Sequence, residues 1–221
     1  MTKIFQTLWR KKFIIITLAI LVAMLPHALT AEASVLSKTI VTAIGIDKVN
    51  GEYEIITESI IFNFDPFGVP ERELDVAHAP TIEQALAEIG MNKGRKISFS
   101  HTTLILLGKG LADEDLTLLL HPFLVMPQLN NGAVLMWTQD PLEDTLQASI
   151  DTGDVRSAKL QQIAEFNKRK THERIATSLE QFFRGSLGTE GVAKLNIIEL
   201  EDKELINGDR VAMFYRGVHR S

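Results

Sequence analysis

From residue 39 onward the chain is built of short apolar runs separated by turn residues. Residues 39–48 (TIVTAIGIDK) are β-branched and almost wholly apolar, the pattern of a buried strand. Asn50-Gly51 follows, a dipeptide that accepts left-handed backbone at both central positions of a two-residue hairpin turn. Residues 52–63 (EYEIITESIIFN) return as a second strand. Residues 64–79 are expected to be a loop, since Asp65-Pro66, Gly68-Val69-Pro70 and Pro80 interrupt them. In residues 81–93, Ile82, Ala85, Leu86 and Ile89 recur at helical spacing, with Pro80 or Thr81 as the start and Gly94 as the stop.

The second half continues the alternation. Residues 96–107 (KISFSHTTLILL) predict a third strand, ending in Gly108-Lys109-Gly110. A helix is expected from about 113 to 124, with Asp113, Glu114 and Asp115 at its positive end. Residues 132–138 (GAVLMWT) predict a fourth strand. Asp140-Pro141 opens a helix to about residue 150, followed by a turn at Asp151-Thr152-Gly153. Residues 157–170 have the pattern of a long amphipathic helix, and Thr177-Ser178 caps a short one, Glu180 or Gln181 completing a capping box. Late strands are expected over 193–200 and 211–215. Mixed helices and strands opening on a hairpin imply an α+β fold around a mixed β-sheet. Its predicted core is Ile44, Ile46, Ile55, Ile60, Phe62, Leu86, Ile89, Leu104 and Leu106.

Residues 1–33 follow a different rule. Lys3, Arg10, Lys11 and Lys12 precede an uninterrupted apolar run over 13–25, broken by Pro26. Ala31-Glu32-Ala33 then offers a small-residue cleavage site before Ser34. The basic end stays in the cytoplasm and the rest is exported. Cleavage and retention as a membrane anchor are both open. Thirteen helical residues span about 20 Å, short of a hydrocarbon core of about 30 Å, while extension to Ala33 reaches across. The expected organisation is therefore a signal peptide or anchor helix over 1–33 and one α+β domain over 34–221.

Composition narrows the class. The chain has 221 residues, a net charge of −5 and no cysteine. Without residues 1–33 the remainder is more acidic still, at about −8. An acidic chain without a basic stripe is a poor nucleic-acid binder. The missing cysteine excludes disulfides, thiolate metal sites, a Cys nucleophile and any Cys-linked lipid anchor.

Candidate chemistry is sparse. Asp151-Thr152-Gly153 is the triplet of aspartic proteases, which need two carboxylates sharing one proton; here it occurs once and is followed by Asp154. A helix-ending turn is the simpler account. His27, His78, His101, His121, His172 and His219 are scattered, without the paired spacing of a zinc site. Gly108-Lys109-Gly110 lacks the frame of a phosphate loop. His101, between Ser100 and Thr102, is expected to be a half-buried strand residue, its imidazole bonded by Thr103 or a neighbouring strand. No catalytic, cofactor-binding or metal residue is assigned.

Five stretches in a fixed order carry a resemblance. They are residues 40–48 (IVTAIGIDK) with Tyr53-Glu54-Ile55 beyond the turn, Thr81-Ile82-Glu83-Gln84-Ala85-Leu86, residues 95–112 (RKISFSHTTLILLGKGLA), residues 160–184, and residues 210–216 (RVAMFYR). Together they resemble the N-terminal domain of the Ger(x)C family, the C subunits of spore germinant receptors. The chain departs from that pattern in three places. The family's lipobox cysteine would fall near Leu29, and residues 31–38 stand where a Trp-Asp-Arg-Arg-like run is usual. Gln128-Leu129-Asn130-Asn131 replaces Arg-rich positions. The family's further domains would lie beyond Ser221.

The resemblance implies a non-enzymatic, exported, membrane-associated subunit acting through protein–protein contacts. Its implied partners are the integral membrane A and B subunits of a germinant receptor; no cofactor follows from it. Two other functions remain open on the sequence: a secreted aspartic-type hydrolase using Asp151, and a repurposed paralogue that binds an envelope component.

Overall fold

The computed structural model describes residues 38–61, 71–93, 96–126, 128–147, 162, 178–201 and 204–220. The chain divides at Lys38/Thr39 into two compact units, and from Thr39 onward the described residues belong to the second. The strands are β1 (Lys38–Val49), β2 (Glu52–Ile61), β3 (Glu71–Ala79), β4 (Lys96–Ser98), β5 (Leu104–Leu107), β6 (Val134–Thr138), β7 (Val192–Glu201), β8 (Glu204–Tyr215) and β9 (Val218–Arg220). Among the described residues the α-helices are α1 (Ile82–Lys93), α2 (Leu116–Val125), α3 (Leu142–Gln147) and α4 (Leu179–Ser186). A 3₁₀ turn spans Lys109–Leu111.

Among the described residues nine strands form one sheet in the order β3-β2-β1-β5-β6-β7-β8-β9, with β4 added on β1. Its centre is parallel: β1, β5, β6 and β7 run side by side in one direction. Antiparallel strands extend both flanks, β2 and β3 on one, β8 and β9 on the other. The mixed α+β sheet is thus present. The central strands explain their own sequences, since a parallel strand covered on both faces has no polar side. All four residues of β5 (Leu-Ile-Leu-Leu) are fully buried.

Alternation divides the core in two. Ile44, Ile46, Ile105, Leu107, Leu135 and Trp137 point to the face covered by α1, α2 and α4. Ala43, Ile56, Leu104, Leu106 and Met136 point to the other face, where Leu142 and Leu146 of α3 pack. Gly45 lies under α3, where a Cβ would meet the Leu146 side chain at 3.1 Å. At the β1–β2 turn, Asn50 and Gly51 take φ values of 52° and 89°, as the dipeptide requires. Arg216 and Gly217 repeat this at the β8–β9 turn, with φ of 47° and 85°.

Four expectations need correction. Residues 71–79, expected as loop, form β3, paired with β2 along its whole length. Its charged, weakly alternating sequence suits a flanking strand, and the prolines bound it rather than break it. The predicted strand over 96–107 is two strands. Between them Thr102 donates its amide to the Phe99 carbonyl at 3.0 Å, making a turn. The buried Thr102 hydroxyl donates to the Val41 carbonyl at 3.2 Å, tying that turn to β1. The second predicted helix begins at Leu116, and Asp115 is its N-cap, accepting from the Thr117 amide at 2.9 Å. Leu86 is only partly buried, because Ala85 and Ile89 take the centre of the α1 face, and Ile60, next to the last residue of β2, is only partly buried as well.

Other readings agree with the structure. Ile44, Ile46, Ile55, Ile89, Leu104 and Leu106 are buried. Ser178 caps α4 through the Gln181 amide at 3.3 Å. Phe62, the helix pattern over 157–170 and the targeting segment lie outside the described residues.

Candidate functional site

Parallel sheets gather their functional groups at the carboxyl ends of the strands. Here that edge carries Asp47 near the end of β1, Gly108-Lys109-Gly110 after β5 and Asp140 after β6. The Asp47 carboxylate is buried and accepts the amides of Lys48 at 2.8 Å and Gly110 at 2.7 Å. Burial pushes its pKa above the ordinary carboxylate value; the two amide donors and the charge of Lys109 pull the other way.

Both glycines are required by this contact. A Cβ on Gly108 would stand 2.3 Å from the Asp47 carboxylate, and one on Gly110 would stand 2.1 Å from the Lys48 carbonyl oxygen. The loop that fails the phosphate-loop pattern therefore does bind an anion, and the anion is the chain's own Asp47. Asp140 does similar work between β6 and β7, accepting the Leu200 amide at 2.7 Å.

A surface cluster surrounds this latch. Lys48 forms an ion pair with Glu114, and its Nζ sits 5.3 Å from the centre of the Tyr53 ring. The Tyr53 hydroxyl donates to Glu114 at 3.4 Å. The hydrogen bond to Glu114 raises the Lys48 pKa, and burial raises that of Tyr53. On the opposite face Glu54 lies 3.8 Å from the His78 ring nitrogen; its pKa is raised by burial, against the pull of His78. These groups are joined to one another or to backbone amides, so the arrangement fastens loops to the sheet.

The residues singled out by sequence do not converge here. Asp151 and Asp154 lie outside the described residues, as do His27 and His172. His78 and His121 are exposed on β3 and α2. His219 stacks on Trp137 with ring centres 5.6 Å apart. Among the described residues, no group of three or more His, Asp or Glu side chains could hold a metal ion.

His101 differs from expectation on both counts. It is exposed in the turn between β4 and β5, and its partner is the Ser100 hydroxyl, 2.9 Å from Nδ1. Strand alternation would have kept Ser100 away; the turn brings it close.

Asp47, Tyr53, Gly108, Gly110 and Glu114 were not recognised as a unit from sequence. The available signal was a single acid closing an otherwise apolar strand run. The departure at Gln128-Leu129-Asn130-Asn131 also has a structural use. Leu129 is buried, the Asn130 side chain accepts the Gly132 amide at 2.9 Å, and the Asn131 carbonyl accepts the Glu180 amide at 3.2 Å.

Residues 36–200 match the family model described as the spore germination protein N-terminal domain. That span includes Asp47, both glycines of the latch, Glu114 and Asp140. No curated protein and no solved structure gives a significant match.

Proposed function

Because the chain belongs to the spore germination protein N-terminal domain family, we propose that it acts as a non-enzymatic subunit of a germinant receptor, the C component of the Ger(x)C type. In this reading the domain lies outside the cytoplasmic membrane, beside the integral A and B subunits. It works by docking and by passing on a change of conformation.

One observation carries the proposal, the family match over most of the α+β domain. The carboxyl-edge geometry supports it. Asp47 and Asp140 spend hydrogen-bonding capacity on backbone amides, which suits a rigid scaffold.

The test is co-purification. A tagged chain solubilised in mild detergent from sporulating cells should bring down both membrane subunits. Recovery with envelope material and without either subunit would overturn the receptor reading in favour of the envelope-binding one.

A further inference from the structure

The inner face of α2 completes the core through Leu116, Leu120 and Phe123. Its outer face is also apolar: Leu118 is 75% exposed and Val125 60% exposed. Seven residues apart, these two side chains lie on one side of the helix, about 10 Å from each other. His121 and Pro122 stand between them, and His121 is exposed. From Leu116 to Met126 there is no charged side chain. Large aliphatic side chains aligned on the exposed side of a helix leave apolar surface in water that covering would remove.

We propose that this outer stripe of α2 rests on the lipid bilayer, at the boundary between headgroups and acyl chains. The inference rests on the membrane-side reading given above. Two observations select lipid as the occupant. The first is the chain outside the described domain. The apolar run over 13–25 is the segment read as membrane-inserting, and only residues 26–37 separate it from β1. Fully extended at about 3.3–3.6 Å per residue, that link reaches about 40 Å. A retained segment would hold the domain within that distance of the membrane, so a weak apolar contact would act at high effective concentration.

The second is the size and chemistry of the stripe. Two exposed aliphatic side chains over about 10 Å fall far short of the roughly 800 Å² per partner of a stable protein interface. The stripe also lacks the Tyr, Trp and Arg anchors such interfaces use. An uncharged aliphatic ridge beside an exposed imidazole matches the lipid boundary better. The domain is acidic, so attachment should come from apolar insertion and respond little to salt.

The absence of cysteine permits a direct test. The full chain, carrying Leu118→Cys or Val125→Cys labelled with an environment-sensitive fluorophore, is reconstituted into neutral phosphatidylcholine vesicles. Glu83→Cys on α1 and Asp144→Cys on α3 serve as exposed controls. Brominated lipid should quench the probes at 118 and 125 several-fold more than those at 83 and 144, at low and high salt alike. Equal quenching at all four sites, in vesicles with which the chain co-floats, would overturn the proposal and leave membrane anchoring intact. Failure to co-float would defeat both. Protection at 118 and 125 that requires the receptor's membrane subunits would overturn it in favour of a protein interface.

Discussion

Asp47 concentrates the argument at the scale of single residues, because one carboxylate joins the end of β1 to the loop after β5. Asp47→Ala should cost about 1–3 kcal/mol in urea unfolding, the penalty of stranding buried amides. Asp47→Asn keeps an oxygen for the Gly110 amide and should lose less. The pH dependence has a definite sign. Burial raises the folded-state pKa of Asp47, so the folded chain holds its proton more tightly than the unfolded one. The resulting stability is present in full below the ordinary carboxylate value, about 3.9, and is lost as pH rises through the folded value. The stability of the parent chain relative to Asp47→Asn should therefore grow as pH falls toward 4; a flat difference would contradict the cause assigned here. Gly110→Ala should destabilise strongly, since its Cβ would meet fixed backbone. His101→Ala should change stability by no more than about 0.5 kcal/mol, the range of exposed positions, because its imidazole meets only a surface hydroxyl, that of Ser100.

Elements were legible where burial decided the pattern. β1, β5 and β6 lie at the centre of the sheet, so their sequences had to be apolar and could be read directly. β3 escaped because it lies at the flank, where backbone pairing with β2 holds a strand whose side chains include Arg72, Glu73 and Asp75. The break between β4 and β5 escaped for another reason. Its turn is maintained by the Thr102 hydroxyl on a carbonyl of β1, a contact across 61 residues that no local pattern encodes. The latch was illegible for the same reason, since Asp47 and Gly110 are distant in sequence and meet only in the sheet. Core substitutions should follow the observed burial. Leu104→Ala, at a fully buried site, should cost about 2–5 kcal/mol. Leu86→Ala, at the rim of α1, should cost clearly less in the same urea titration.

For the molecule as a whole, the family assignment and the targeting pattern make a joint prediction. A reporter fused after Ser221 should be active only outside the cytoplasm, and activity inside would contradict export. The order of strands in the sheet adds a consequence in time. β1 finds β2 across a two-residue turn, but its other partners come late, β4 from Lys96 and the parallel neighbour β5 only from Leu104. At a synthesis rate of about 5–20 residues per second, that partner follows several seconds behind. A nascent or newly translocated chain thus passes through an interval in which an early hairpin displays one long, apolar, unsatisfied edge. Pulse-labelling hydrogen exchange during refolding should find β1–β2 amides protected before those of β5 and β6. The same interval is when a holding chaperone has most to bind, and when two copies of the chain are most prone to pair wrongly.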